Sequence, residues 1–203
     1  MKSDFKKEIA AYSARRGVFE IIDVPSARYL MIDGHGDPGE QTYADAITTI
    51  FTVAYRLKFM SKRERDLDYV VMPLEALWWS DDMATFTTSR DKSQWDWTAL
   101  NLVPDWIDED QFARAVAAAE APAVARVRLE TYTEGLCVQT LHLGPFDDEG
   151  PVLDAMHHEF IPGHGLRMTG KHHEVYLSDI RRTDPAKLRT ILRQPVEYVR
   201  TPA

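Results

Sequence analysis

Two stretches decide the fold: Tyr29–Glu40, "YLMIDGHGDPGE", and Gln139–Gly150, "QTLHLGPFDDEG". Each alternates into a glycine and then a turn rich in acids, with Gly34 opposite Gly144. Gly and Pro at this density end a strand. After the first, residues 40–60 place Tyr43, Ala46, Ile47, Ile50, Phe51, Ala54, Tyr55 and Leu57 at helical spacing. After the second, a shorter helix is expected over residues 150–161, stopped by Pro162 and Gly163. Both helices lead into a strand-like run: "YVVMPLEALWW" (69–79) and "HHEVYLSDIRR" (172–182), laid over each other with Leu74 opposite Leu177. Each half therefore reads strand, turn, helix, strand, the pattern of a duplicated module. Two such modules pair into one antiparallel sheet about a pseudo-twofold axis, with helices on one side and a central cleft lined from both halves. The class is α+β. The chain is expected to be one domain over residues 1–203, with a polar lead-in at 1–17, a first module at 18–122 and a second at 123–203.

The connecting elements follow from local signals. "MATFTTS" and "SQWDWTALNLV" read as a hairpin around "RDK". "IDEDQFARAVAAAEAP" is a helix capped by Asp108 and ended by Pro122. Asp184-Pro185 opens a last helix, Ala186 to Leu192, with Pro195 beyond it.

The chain has 203 residues, 44% of them hydrophobic and 28% charged, with a formal net charge of −8. That balance is ordinary for a globular protein. It lacks the clustered Lys and Arg that phosphate binding needs, so no nucleic-acid partner is expected. No apolar run approaches the ~20 residues of a membrane span, and the charged first residues are no secretory signal. A cytoplasmic location without membrane association is expected, as a monomer or a homodimer. The single cysteine, Cys137, lies in an apolar run and reads as a small buried hydrophobe. Six of the seven histidines fall between His142 and His173, but "HHEFIPGH" fails the metal spacing of His-Glu-x-x-His. Neither a metal nor an organic cofactor is expected.

The chemistry-bearing residues are acidic and aromatic. In "KHHEVYLSD" (171–179), alternation puts His172, Glu174, Tyr176 and Ser178 on one face and His173, Val175 and Leu177 on the other. The overlay of the halves puts Glu75 on the face equivalent to that of Glu174, so both carboxylates are expected to look into one cleft. Five tryptophans crowd residues 78–106. Part of this set is core, since large aromatics dominate cores. The rest is expected to form an aromatic wall on the side of the sheet that the helices leave free: Trp79, Trp95, Trp97 and Trp106, extended by Tyr132, Phe146 and Tyr176. Such a wall suits a hydrophobic, planar or cationic ligand.

Taken together, "MPLEALWW", "GLCVQTLHLGPFDDEG", "HHEVYLSD" and "LRTILRQPV" resemble the GyrI-like small-molecule-binding family, in particular its stand-alone bacterial members. The resemblance implies tandem strand–helix–strand–strand modules. It also implies a glutamate, here Glu174, set among rings where it draws in lipophilic cations in the effector domains of multidrug-responsive transcription activators. Some stand-alone members hydrolyse cyclopropane-containing DNA-alkylating natural products in the same pocket. By that reading Glu174 is the catalytic base and Glu75 its partner or the proton donor. This chain carries Phe146 where family members often carry Tyr. Binding without turnover remains open, as does the alternative of a regulatory or protein-interaction module such as a gyrase-inhibitor-like protein.

Overall fold

A computed structural model of the chain describes residues 2–86 and 91–199. Its strands are β1 (Lys2–Ser3), β2 (Glu20–Val24), β3 (Ala27–His35), β4 (Asp68–Tyr69), β5 (Glu75–Trp79), β6 (Asp96–Val103), β7 (Arg128–Tyr132), β8 (Gly135–Leu143), β9 (Leu166–Met168), β10 (His172–Tyr176) and β11 (Arg189–Tyr198). The helices are α1 (Phe5–Glu8), α2 (Gln41–Arg65), α3 (Glu109–Ala117), α4 (Gly150–Asp154) and α5 (Ile161–Gly163). Between α4 and α5 the helix loosens into a π-helical stretch, Ala155–Phe160. Among the described residues no helix is long and apolar enough to cross a membrane.

Among the described residues, nine strands form one antiparallel sheet. Its order is β2-β8-β11-β10-β5-β6-β3-β7, with β9 added on β11. The two halves meet where β5 pairs with β10. The leading strand of each half crosses over: β2 pairs with β8, and β7 pairs with β3. The duplication read from Gly34 and Gly144 is thus built as a sheet with near-twofold order.

One face of the sheet carries both helices. The apolar stripe of α2, including Ala46, Ile50, Val53, Ala54 and Leu57, packs on Leu30, Ile32, Ala76, Trp97 and Ala99. The second helical run lays Met156 and Ile161 on Val138 and Leu192. Asp66, with its left-handed φ of 56°, ends α2. Asp108 caps α3 with a full capping box, as expected, although the helix ends at Ala117 rather than at Pro122.

The opposite face, expected to be an open aromatic wall, is instead covered by the first residues of the chain, with Tyr12 packed in its core. The expected polar lead-in is a packed strap: β1 pairs with β4, Ala11 and Tyr12 are buried, and Gln139 donates to the Ser13 carbonyl at 3.0 Å. Two further expectations are corrected. The helix predicted over 186–192 is only a turn at Pro185–Lys187, followed by β11. Residues 190–196 are buried on both faces, and their mixed run, with Thr190, Arg193 and Gln194 among apolar residues, lacks the alternation that marks a half-buried strand. Pro195 is tolerated where β11 changes neighbour from β10 to β9. The predicted "MATFTTS" arm is a 3₁₀ turn at Met83–Phe86, and its remainder, residues 87–89, lies outside the described residues.

Gly34 pairs with Trp97 across β3 and β6, and a Cβ at position 34 would overlap the Trp97 indole. Trp97 is fully buried and lacks room to withdraw. Gly34→Ala is therefore expected to destabilise by about 1–3 kcal/mol as an overpacking change. A melting curve checks this; a midpoint within 1 °C of wild type, against the roughly 2–4 °C per kcal/mol usual at this size, would contradict it.

Candidate functional site

The β5–β10 ladder sets the geometry of the site. Its register pairs His172 with Trp78, His173 with Leu77, Glu174 with Ala76, and Val175 with Glu75. Directly paired residues share a face, so Glu174 and Glu75 lie on opposite faces of the sheet. The expectation of one cleft holding both is overturned. Carrying the Gly34–Gly144 equivalence through the ladders makes Val175, not Ser178, the counterpart of Glu75. The sequence overlay was displaced by an odd number of residues across the unpaired stretch before β5, and an odd displacement exchanges faces.

On the helix-bearing face, β10 forms the floor between α2 and the second helical run. Tyr43 reaches this floor from α2, its ring 5.5 Å from Trp78 and 4.8 Å from Trp97. His157 reaches it from the π-helical stretch, 6.0 Å ring to ring from His172. Glu174 lies between, its side chain 14% exposed, with Oε1 3.6 Å from His172 Nε2. That separation exceeds hydrogen-bond length. Trp78 Nε1 donates to the Tyr176 hydroxyl at 3.1 Å, and Phe146 meets the Tyr176 ring edge-on at 5.4 Å. Burial pushes the Tyr176 phenol well up from its ordinary value, and the charge of Glu174 adds to this. Tyr43 is pushed up by the same two causes, burial first. Both phenols therefore stay protonated and available as donors at neutral pH.

On the opposite face the strap seals a polar network. The Tyr12 hydroxyl donates to Glu75 Oε1 at 2.5 Å, and His173 Nε2 lies 3.0 Å from Glu75 Oε2. His173 Nδ1 meets Glu134 Oε1 at 2.9 Å, and Arg193 Nη1 donates to Glu134 Oε2 at 2.7 Å. Arg193 also donates to Gln139 Oε1 and to the Ala11 carbonyl. The Glu75 and His173 side chains are fully buried. Burial works against a charged His173, but Glu134 and Glu75 outweigh it and raise its pKa to about 9. Burial likewise opposes ionisation of Glu134, yet His173 and Arg193 pull it down to about 2. Two acidic and two basic side chains thus pair their charges without solvent.

The predicted site residues separate accordingly. Glu174, Tyr176 and Phe146 come together on the helix-bearing face. Trp95 stands beside them, 5.9 Å from Trp78 and stacked on Phe86 at 4.4 Å. Trp97 lies beneath, buried in the core. Trp106 is far along α2, donating to Ser61 Oγ and packed on Phe5 and Tyr69. Glu75, Trp79 and Tyr132 belong to the other face, where Lys171 Nζ sits 3.1 Å from the centre of the Trp79 ring and Tyr132 packs on Tyr29. Trp106, Trp79, Tyr132 and Glu75 are therefore not part of the cluster around Glu174. Tyr43, Trp78, His157 and His172 were missed. The pairing of Trp78 with His172 across the ladder is the signal that would have found two of them, given the register.

A sheet doubled about its centre, with a ring-framed carboxylate between two helices, is the build of a small-molecule-binding domain. The chain belongs to the GyrI-like small molecule binding domain family, whose model matches residues 18–197. Among solved structures it is similar to an uncharacterized conserved protein from Listeria innocua, at 39% identity and a TM-score of 0.87, covering 97% of this chain and 100% of that one. It is also similar to a hydrolase from Listeria innocua, at 38% identity and a TM-score of 0.83 over the same shares. The C-terminal domain of EcmrR shares the fold at 13% identity, with a TM-score of 0.57 over 90% of this chain and 98% of that one. No curated protein matches the chain in sequence.

The sealed network makes stability depend on pH. His173 is raised above its ordinary 6.5, so its contribution is complete below 6.5 and is lost as pH rises through about 9. Glu134 is lowered from its ordinary 4.5, so its contribution is complete above 4.5 and is lost as pH falls through about 2. The melting temperature of the wild type is expected to fall between pH 6.5 and 9. His173→Gln should melt lower at neutral pH and show a shallower fall over that range. An unchanged slope in the variant would remove His173 as the cause.

Proposed function

We propose that the cleft over β10 binds a lipophilic, planar compound and that Glu174 works on it, as a base in ring-opening hydrolysis. The observation that carries this reading is a partly open carboxylate on β10, between α2 and the second helical run, in a cluster with Tyr43, Trp78, Tyr176 and Phe146. Rings at this spacing supply stacking faces and exclude water, and charged groups act strongly in such surroundings. Full-length similarity to a Listeria innocua protein described as a hydrolase supports turnover over binding alone.

The substrate class that fits is a cyclopropane fused to a ring dienone. Glu174 takes a proton from water as the water oxygen bonds to a cyclopropane carbon. The opposing carbon–carbon bond breaks, and its electron pair passes through the ring to the carbonyl oxygen, leaving a phenolate. Protonation of that oxygen and return of the proton from Glu174 to solvent complete the addition of one water. The protonated Tyr176 phenol, held by Trp78 Nε1, orients the water or the carboxylate. A lipophilic cation would use the same carboxylate as a counter-ion, stacked on the same rings. In this reading Glu75 has no part in the chemistry, because Tyr12 and His173 occupy its carboxylate on the sealed face.

Glu174→Gln is expected to lower the rate of cyclopropane opening by at least about a hundredfold, the usual scale for removing a general base. Affinity for a neutral planar compound should change less than fivefold. Single-turnover kinetics with a cyclopropane-bearing dienone, alongside tryptophan quenching, checks both. Full turnover in the variant, or a rate equal to water alone in the wild type, removes the hydrolase reading. For a planar cationic dye, the same variant should lose quenching in the wild-type working range.

A further inference from the structure

We propose that His157 and His172 form a polar subsite in the cleft that donates hydrogen bonds to a carbonyl oxygen on the ligand's ring system. This deepens the hydrolase reading and rests on it, since the oxygen so held is the one on which negative charge collects as the ring opens.

The inference begins with unpaired atoms. Both nitrogens of His172 and Nε2 of His157 are buried, and none has a hydrogen-bond partner among the described residues. Buried polar atoms are nearly always paired, and leaving one unpaired costs about 1–3 kcal/mol. Here two neighbouring imidazoles hold three such nitrogens, with no oppositely charged atom among the described residues closer than 3.6 Å to His172. On the strap face His173 has a carboxylate oxygen within 3.0 Å of each nitrogen, although its Nε2 does not meet hydrogen-bond geometry with Glu75, whereas the nearest acid to His172 lies at 3.6 Å.

The backbone supports the same conclusion. His157 sits in the π-helical stretch Ala155–Phe160. A π turn departs from the preferred α geometry and is frequently found at functional sites. Here it brings the ring of His157 against that of His172, at 6.0 Å and 81° between planes. The next histidine, His158, faces away and pairs with Asp154 at 2.8 Å. Burial, with the neighbouring His172 and His158, lowers the pKa of His157 to about 4, against a small upward pull from Asp154. Its ring is therefore neutral at physiological pH and keeps one N–H to donate. A neutral imidazole suits a carbonyl that gains charge during reaction, because its donation strengthens with that charge. Glu174, 3.6 Å from His172 Nε2, accepts only and cannot bind the same oxygen while ionised.

The test uses two flat compounds of one shape, 9-fluorenone, which carries a carbonyl, and fluorene, which does not. Calorimetry with the full chain is expected to show fluorenone bound about tenfold more tightly, the scale of one well-formed buried hydrogen bond. That preference should vanish in His157→Phe and in His172→Phe, with fluorene affinity held within about threefold in each. Nitrogen-15 imidazole spectra of the wild type, which need no variant, should show the His157 and His172 resonances shifting with fluorenone and not with fluorene. No preference in the wild type, a preference retained in either variant, or unmoved resonances would overturn the subsite. Tyr176→Ala separates this from the cleft itself. If fluorene binding is lost there while no carbonyl preference exists, only the histidine subsite falls. If fluorene binding is indifferent to that change, the cleft reading falls, and the subsite with it.

Discussion

The pairing of β5 with β10 is the constraint on which the rest of the molecule depends. Four directly opposed pairs join the halves, and strand geometry sends neighbouring residues to opposite faces. Adjacent side chains, His172, His173 and Glu174, thereby enter two unlike surroundings. His173 is sealed under the strap among acids and a guanidinium, whereas His172 and Glu174 face the interval between two helices. A shift of one residue in this ladder would put Glu174 into the sealed face and His173 into the cleft. Register at the seam, more than composition of either face, determines which groups can meet a ligand.

The two faces answer the same physical problem differently. Ionisable groups removed from water must find partners. On the strap face they do so internally, through Tyr12, Glu75, His173, Glu134 and Arg193. On the helix face Glu174 retains contact with solvent, and its neighbours are rings and phenols held protonated by burial and by its charge.

Much of the architecture was legible from the residues. The glycine turns after β3 and β8, the spacing of apolar residues in α2, and the cap at Asp108 each have local causes, and local causes survive in sequence. The α+β class and the doubled plan followed from them. What failed depended on distance. On sequence, Trp79, Trp106 and Tyr132 group with Glu174 because they are aromatic and lie in or near the tryptophan-rich region; the strand register and the packing of Trp106 on Ser61 and Tyr69 show otherwise. Glu75 was misplaced by an overlay whose offset was odd. β11 passed for a helix because a strand covered on both faces shows no alternation. The role of the first residues could not be read at all, since Tyr12 finds its partner 63 positions away.

The exchange of leading strands carries a consequence for how such a molecule can be taken apart. β2 belongs by sequence to the first half and completes the edge of the second, and β7 does the reverse. Cutting the chain between the halves would strip each fragment of its outermost ribbon and bare the backbone groups of β8 and of β3. A fragment could mend that edge only by lending its own leading strand to a second copy and borrowing one back. Each half alone would therefore complete its sheet only in an intertwined homodimer, two copies trading their outermost ribbons.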